Sequence, residues 1–264
     1  MRPATLPAAW RATAGVAPES VLFFDFDGTL APIGDDPDAV RPVDGLVDLL
    51  DQLAGAVGRV AIVSARPVEF LRERLPVRAD LDLYGLYGLE IRRAGGPTEA
   101  DPEALAWVPL IAELTMLARN ELPTGALVED KHLSVALHYR TAPELAGTVQ
   151  RWAADRAAEH RVKAQPGRMV VELKPPVERD KGWVVRDALG ADRVAWYFGD
   201  DLSDLAAFAA LAEREAADPD FLGVRVAVTN PETGAEVAAA ADFTVESPAA
   251  LPGVLEAGLT ELRA

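Results

Sequence analysis

The 264-residue chain is 50% hydrophobic and carries a formal net charge of −16 at pH 7, which predicts a folded globular protein rather than a disordered one. The excess of acidic residues disfavours binding to nucleic-acid phosphates and to anionic membranes, so we expect neither partner. The chain has no cysteine, which excludes disulfides and thiolate metal sites. We see no apolar run typical of a secretion signal or a membrane span, and we expect a cytoplasmic monomer.

Short apolar runs alternate with segments of helical periodicity in the first third and the last third of the chain. This alternation predicts right-handed crossovers and a doubly wound α/β fold, in which a mainly parallel sheet is covered by helices on both faces. In chain order, the predicted elements are a strand at 21–24, a helix at 42–54, a strand at 59–63, a helix at 67–75, and strands at 81–85, 194–198 and 223–228. The first 18 residues could be a disordered leader or could pack on the core.

The middle of the chain has a different pattern, typical of an α+β domain. Residues 126–140 predict a hairpin, residues 144–159 a helix, and residues 168–173 an alternating strand. Glycine and proline residues punctuate both ends of this region and indicate domain boundaries. We therefore predict a catalytic core formed by 1–98 and 175–264, with an α+β domain inserted over 99–174.

Polar side chains follow three of the predicted strands at the point where each strand ends. Asp25 and Asp27 follow the first strand, Ser64 follows the second, and Asp200, Asp201 and Asp204 follow the fourth. The carboxyl ends of parallel strands meet at one edge of a sheet, so we expect these groups to lie close together. Two dry, ionised carboxylates repel each other, and a cation, a shared proton or open water has to balance them.

The chemistry of these groups favours magnesium. Oxygen ligands without sulfur suit Mg²⁺, which keeps several waters and binds substrate phosphates. Gly28 would let the backbone approach a phosphate closely, and the neighbouring amides could donate hydrogen bonds to it.

Four motifs in this order resemble those of haloacid dehalogenase-type (HAD) phosphatases. They are DFDGTL at 25–30, the strand-end Ser64, the isolated Lys181 and GDDLSD at 199–204. Within that superfamily, VEDK at 128–131, SVALHYR at 134–140, VVELKPP at 170–176 and GDDLSDLAAF at 199–208 resemble trehalose-6-phosphate phosphatases. In such proteins the inserted domain is a mobile cap that selects the substrate.

The resemblance implies a two-step phosphoryl transfer to and from an aspartate. Asp25 would be the nucleophile and would form an aspartyl-phosphate. Asp27 would protonate the leaving sugar oxygen and then take a proton from the attacking water. Ser64 and Lys181 would hold the phosphoryl oxygens, and Lys181 would also offset the charge of Asp25.

The resemblance also implies a set of metal and substrate contacts. Mg²⁺ would be bound by Asp25, the backbone carbonyl of Asp27 and Asp200, with Asp201 and Asp204 as auxiliary ligands. A small sugar phosphate would be the partner. Its predicted binding residues are Gly28, Thr29, Arg66, Tyr87 and Gly88 in the core, and Glu129, Lys131, His138, Arg140 and Glu172 in the cap.

Several alternatives stay open at this stage. Ser64 could cap the helix that begins near residue 67. Asp200, Asp201 and Asp204 could cap the helix that comes after them and complement its dipole. Tyr87 stands where many family members have histidine, so the substrate could be the phosphate of another disaccharide, such as sucrose, mannosylglycerate or a pseudo-disaccharide. A non-catalytic sugar-phosphate sensor is a further alternative, although such a protein would be expected to lack Asp25 or Asp27.

Overall fold

The computed structural model describes residues 3–34, 36, 39–77, 80–231 and 233–264. The chain divides into two compact units. The larger unit consists of Met1–Glu99 and Arg179–Ala264, and the smaller unit consists of Ala100–Glu178. The sequence predicts the insertion at 99–174, and its role as a substrate-selecting cap stays a prediction.

The strands and helices of the described residues are numbered in chain order. The strands are β1 (Ser20–Phe24), β2 (Arg59–Val63), β3 (Asp82–Gly85), β4 (Glu90–Arg92), β5 (Thr98–Ala100), β6 (Leu127–Asp130), β7 (Val135–His138), β8 (Lys163–Gly167), β9 (Val170–Lys174), β10 (Val194–Gly199), β11 (Leu222–Val228) and β12 (Phe243–Val245). The helices are α1 (Leu6–Ala14), α2 (Leu46–Ala54), α3 (Val68–Arg74), α4 (Pro102–Leu105), α5 (Val108–Glu121), α6 (Ala146–His160), α7 (Lys181–Ala188), α8 (Asp204–Ala217), α9 (Ala235–Ala240) and α10 (Leu251–Leu262).

The larger unit is built on one sheet with the strand order β12-β11-β10-β1-β2-β3-β4-β5. The pairings from β12 to β3 are parallel, and β4 is antiparallel to β3. The chain moves outward in one direction from β1 to β3 and in the other from β10 to β12, so the order reverses between β1 and β10. Ligands of open α/β sheets bind at such a switch point. The predicted α/β fold with a mainly parallel sheet is confirmed.

The apolar runs that predicted the strands are buried because both faces of the sheet are covered. Alternate side chains of β1 enter different cores: Leu22 and Phe24 pack in one, and Val21 and Phe23 pack in the other. Phe24 also stacks on Phe198 of the neighbouring β10, with ring centroids 4.6 Å apart. This two-sided burial fixes the position of the β1 and β10 ends, where the acidic motifs begin.

The N-terminal segment packs on the core of the larger unit. Helix α1 begins after Thr5, whose hydroxyl accepts a hydrogen bond from the Ala8 N–H. Trp10 is buried and stacks on Trp196 of β10 at 4.0 Å between ring centroids. The second of the two sequence alternatives for this segment therefore holds for its described residues.

One predicted helix boundary differs from the structure, and one strand was not predicted. Helix α2 begins at Leu46 rather than at residue 42, because Gly45 has a φ of +82° and cannot continue a right-handed helix. The strand predicted at 168–173 is β9, and it pairs with β8, which the sequence analysis missed. Strand β8 contains Pro166 and Gly167, two residues that normally argue against a strand.

The smaller unit contains an antiparallel sheet with the order β6-β7-β9-β8. Val135, Leu137 and Leu173 lie on one face of this sheet and are buried among side chains of α5 and α6. The register places Glu129 opposite Ala136, and Ala136 opposite Glu172, on the other face. We call this second face, with Glu129, Lys131, Ser134, His138 and Glu172, the polar face of the smaller unit.

Among the described residues, no helix combines the length and the apolar character that spanning a bilayer requires.

Candidate active site

The ends of β1 and β10 place two carboxylates side by side. Phe24 pairs with Phe198 in the parallel register, and the Asp25 N–H donates to the Phe198 carbonyl at 2.9 Å. Asp25 therefore leaves the sheet next to Asp200, at the switch point. Ser64 follows β2 on the other side of β1, and its N–H donates to the Tyr84 carbonyl at 2.9 Å.

Gly28 makes the close approach of these two loops possible. Its φ is +87°, and a Cβ at this position would lie 2.1 Å from Asp200 Oδ2. Any other residue would therefore displace the Asp200 carboxylate as well as strain the backbone. The predicted role of Gly28 was an approach to phosphate, and the structure gives it this additional role.

Asp25, Asp200 and Asp204 form a buried cluster in which one ligand oxygen of each lies within 4.8 Å of the others. The Lys181 ammonium lies 2.8 Å from Asp25 Oδ1 and 2.7 Å from Asp204 Oδ1. Asp201 is at the edge of the cluster, 3.9 Å from Lys181, with 59% of its side chain exposed. One ammonium faces several carboxylates, so the cluster has an excess of negative charge.

The pKa values of the cluster reflect this excess. Burial raises the pKa of Asp25 well above its usual value, against the opposing effect of Lys181, and Asp204 raises it further. Burial together with Asp204 also raises the pKa of Asp200, to about 7. Burial disfavours the Lys181 ammonium, but Asp204 and Asp25 outweigh it and raise the pKa of Lys181. The cluster therefore retains protons unless a cation takes their place.

Asp204 binds both the loop after β10 and the Lys181 ammonium. Its Oδ2 accepts hydrogen bonds from the N–H groups of Asp200 and Asp201 at 2.9 and 3.0 Å. Its Oδ1 accepts from Lys181 and from the buried Tyr197 hydroxyl, the latter at 2.8 Å. Asp204 is also the first residue of α8, and its carboxylate accepts hydrogen bonds from the loop before that helix and from Lys181. Sequence reasoning missed Tyr197, which lies inside an apolar strand.

Asp27 is bound by Arg66 in a two-point ion pair. Arg66 Nε lies 2.8 Å from Asp27 Oδ2, and a terminal nitrogen of Arg66 lies 2.8 Å from Asp27 Oδ1. The guanidinium also lies over the Phe70 ring, 4.5 Å from its centroid. The prediction placed Arg66 with the substrate, and the structure places its guanidinium on Asp27. The Ser64 hydroxyl accepts from the Arg66 N–H at 3.1 Å rather than from α3, which begins at Val68.

The loop after β3 is fixed against the Ser64 turn in an unusual conformation. Leu86, Tyr87 and Gly88 have successive φ values of +50°, +59° and +93°. The Leu86 N–H donates to the Arg66 carbonyl, and the Tyr87 N–H donates to the Ser64 carbonyl, each at 3.0 Å. A non-glycine residue in the left-handed region costs free energy, and such strain is concentrated at functional sites.

Four of the five substrate residues predicted in the smaller unit lie on its polar face and form pairs there. Glu172 Oε1 accepts from the Ser134 hydroxyl at 2.5 Å and lies 3.6 Å from the Lys131 ammonium. Glu129 Oε2 lies 2.8 Å from His138 Nε2. Arg140, the fifth residue, donates to the Arg168 carbonyl at 3.4 Å.

Two side chains hold the Asp200 carboxylate in place. The Asn230 amide donates to Asp200 Oδ2 at 2.8 Å and to the Gly28 carbonyl at 3.4 Å. The Thr29 hydroxyl donates to Asp200 Oδ1 at 3.4 Å, although the sequence analysis assigned Thr29 to the substrate. Asn230 was not predicted. Its position shortly after the strand at 223–228 was a usable signal, because the same strand-end rule had found Asp25.

Comparison with known proteins gives a consistent result. The family described as "Trehalose-phosphatase" matches residues 23–248. A trehalose-phosphate phosphatase of Mycobacterium marinum is 36% identical over 263 residues, which cover 94% of this chain and 63% of that protein. One of Mycobacterium tuberculosis is 34% identical over 260 residues with the same coverage. The chain thus spans less than two thirds of the length of these relatives.

Solved structures show the same fold. The C-terminal domain of a trehalose-6-phosphate phosphatase of C. albicans superposes with a TM-score of 0.76 at 22% identity, covering 100% of this chain and 99% of that one. A trehalose-6-phosphate phosphatase of Aspergillus fumigatus gives a TM-score of 0.63 at 23% identity, with coverage of 100% and 99%.

Proposed function

Because the chain belongs to the trehalose-phosphatase family, we propose that it is a magnesium-dependent phosphatase that hydrolyses trehalose 6-phosphate to trehalose and phosphate. The observation that carries this proposal is the buried cluster of Asp25, Asp200 and Asp204 around Lys181 at the switch point of the sheet. Phosphoryl transfer depends mainly on positioning and charge stabilisation, and this cluster offers both. We further propose that the protein acts in the cytoplasm, as a monomer.

The residues of the cluster suit a magnesium ion. They offer only oxygen ligands, and Gly28 leaves room for the Asp200 carboxylate where a Cβ would collide with it. We assign Asp25, the Asp27 carbonyl and Asp200 as ligands, with Asp201 and Asp204 as auxiliary ligands. When bound, the ion would neutralise the carboxylates and orient the phosphate oxygens.

In the first step, a carboxylate oxygen of Asp25 attacks phosphorus. A bond forms between this oxygen and phosphorus, and the bond from phosphorus to the sugar oxygen breaks. Asp27 gives its proton to the departing sugar oxygen. Lys181, 2.8 Å from Asp25 Oδ1, keeps that carboxylate in place and offsets charge on the phosphoryl group with the help of the Ser64 hydroxyl.

In the second step, water attacks the phosphorus of the aspartyl-phosphate. Asp27, now a carboxylate, takes a proton from that water, the bond to Asp25 breaks, and inorganic phosphate leaves. Arg66 orients the Asp27 side chain through two hydrogen bonds of 2.8 Å. An arriving phosphoryl group competes for the same guanidinium, which would free an Asp27 oxygen for the proton transfer.

We assign the polar face of the smaller unit to sugar recognition. Glu129, Lys131 and Glu172 can exchange hydrogen bonds with sugar hydroxyl groups. His138 lies at the end of β7, and Arg140 follows it by two residues. A sugar that lacks a matching hydroxyl would leave a buried carboxylate without its partner, which discriminates strongly between substrates.

The test is phosphate release by the purified protein with magnesium. We expect turnover of trehalose 6-phosphate far above that of glucose 6-phosphate, and no release after magnesium is removed with EDTA or in Asp25→Asn. Turnover of glucose 6-phosphate at an equal or higher rate would remove the trehalose assignment. If none of the sugar phosphates releases phosphate, the assignment of phosphatase activity is wrong.

A second candidate substrate is suggested by Tyr87, which stands where many family members have histidine and whose backbone is fixed to the Ser64 turn. The substrate would then be another phosphorylated disaccharide. A panel of sucrose 6-phosphate, phosphorylated mannosylglycerate and trehalose 6-phosphate separates the two, because the preferred substrate has the highest kcat/KM.

A further inference from the structure

Asn230 adds a further polar side chain to the cluster, beyond the end of β11. It follows β11 by two residues, next to the Asp200 loop, and is half-buried. One nitrogen of its amide lies 2.8 Å from Asp200 Oδ2 and 3.4 Å from the Gly28 carbonyl oxygen. The side chain thus joins the loop after β1 to the loop after β10.

Chemistry fixes which way this amide faces. A carboxylate oxygen and a carbonyl oxygen only accept hydrogen bonds, so the amide group between them has to be the NH₂. Asn230 is therefore a donor to both loops at once. A carboxylate in its place would repel Asp200, and an aliphatic side chain would leave both acceptors without this donor.

The donor makes the two oxygens of Asp200 different. Oδ2 is used by Asn230 at 2.8 Å, while the Thr29 hydroxyl is 3.4 Å from Oδ1. The Gly28 backbone packs against the carboxylate, because an added Cβ at Gly28 would lie within 2.6 Å of both Asp200 oxygens. Rotation of the carboxylate would break its shortest hydrogen bond, so Oδ1 is the oxygen that stays available to a cation.

We propose that Asn230 is a positioning residue for the metal: it fixes the Asp200 carboxylate so that Oδ1 faces the ion in common with Asp25. The inference rests on the magnesium site of the proposed function. Groups that orient metal ligands in this way affect metal affinity by about 10–100-fold. Asn230 itself makes no bond to the ion or to the substrate.

The experiment is the dissociation constant of Mg²⁺ for the full chain, measured by isothermal titration calorimetry. We expect Asn230→Ala to bind Mg²⁺ about 10–100-fold more weakly than the wild type, and Asn230→Ser to fall between the two. The backbone N–H of Asn230 donates to the Thr233 hydroxyl at 3.1 Å, so the turn keeps this bond in both variants. Circular dichroism checks that each variant is folded.

Thr229→Val is the matched control at the same strand end. The Thr229 hydroxyl donates to the carbonyls of Val245 and Glu246 at 3.1 and 2.9 Å and not to the cluster. We expect this variant to lose thermal stability but to keep the wild-type affinity for Mg²⁺ within twofold. A purely structural role of Asn230 would give the same result for Asn230→Ala, and an unchanged affinity in the folded variant overturns the inference.

Activity supplies a second readout. In Asn230→Ala we expect the Mg²⁺ concentration for half-maximal activity to rise by the same factor as the dissociation constant, with turnover largely recovered at saturating Mg²⁺. A loss of turnover that saturating Mg²⁺ does not recover also contradicts the inference. If the wild type itself fails to bind Mg²⁺, the magnesium part of the proposed function fails, which is a different outcome.

Discussion

The strand-end cluster of the larger unit and the polar face of the smaller unit both contain buried carboxylates, but they balance charge differently. In the strand-end cluster, Lys181 serves Asp25 and Asp204 together. Asp200 has a neutral amide, that of Asn230, as its nearest hydrogen-bond donor. This cluster therefore needs protons or an external cation to be neutral.

On the polar face, each carboxylate has a basic side chain of its own. Glu172 lies 3.6 Å from Lys131, and Glu129 lies 2.8 Å from His138. The Glu172–Lys131 pair needs no cation from outside, and the hydrogen-bonding capacity of the polar face suits a neutral ligand with many hydroxyl groups. The charge balance of the two regions therefore indicates two classes of ligand: a cation for the strand-end cluster and a neutral, hydroxyl-rich molecule for the polar face.

The largest effect is expected from Asp25→Asn, which removes the proposed nucleophile. Activity should fall by about 10⁴-fold or more. Burial raises the pKa of Asp25, so its neutral form is favoured and asparagine resembles that form. The thermal midpoint of the metal-free protein should therefore stay level or rise. A large loss of stability together with activity would contradict this view of the cluster.

Lys181→Met tests the shortage of positive charge directly. It leaves Asp25 and Asp204 buried without their ammonium, and removing one partner of a buried ion pair costs about 3–5 kcal/mol. Urea denaturation measures the change in the free energy of unfolding. The same substitution in an Asp25→Asn background should cost less, since one of the two carboxylates is already neutral. Equal costs in both backgrounds would mean that the charge balance does not matter.

Whether a feature of the candidate site could be predicted from the sequence depended on how far apart its residues are along the chain. Asp25, Asp27 and Asp200 were predicted because each lies within three residues of the end of an apolar strand. The resemblance to the trehalose-phosphatase family was confirmed. The Arg66 pair with Asp27 spans 39 positions, and the Thr29 contact with Asp200 spans 171. Periodicity carries no information about such contacts, because they depend on how strands are ordered in the sheet.

Glu172→Gln tests the other half of the comparison. It removes the charge paired with Lys131 on the polar face and leaves the strand-end cluster untouched. We expect KM for trehalose 6-phosphate to rise about 10-fold, which corresponds to a lost charge-assisted hydrogen bond of about 1.4 kcal/mol. The affinity for Mg²⁺ and the hydrolysis of p-nitrophenyl phosphate, which has no sugar, should not change.

The control for Glu172→Gln is Glu178→Gln, in the same unit. Glu178 pairs with Lys163, but 87% of its side chain is exposed, and exposed ion pairs contribute little. Its KM should match the wild type. A similar rise in KM in both variants would point to a general effect of charge and not to recognition by the polar face.

The smallest expected effect is the pH dependence of magnesium binding. Burial and Asp204 raise the pKa of Asp200 from 3.8 to about 7. A raised pKa means that this group stabilises the metal-free protein fully below pH 3.8, and that this contribution is lost as the pH rises through about 7. Mg²⁺ has to displace that proton, so its affinity should fall by up to about tenfold per pH unit below 7 and level off above it. Calorimetry at pH 6 in two buffers of different ionisation enthalpy should therefore detect proton release when Mg²⁺ binds. Magnesium binding without proton release would mean that the cluster is already ionised, and the contrast between the two regions would then lose its physical basis.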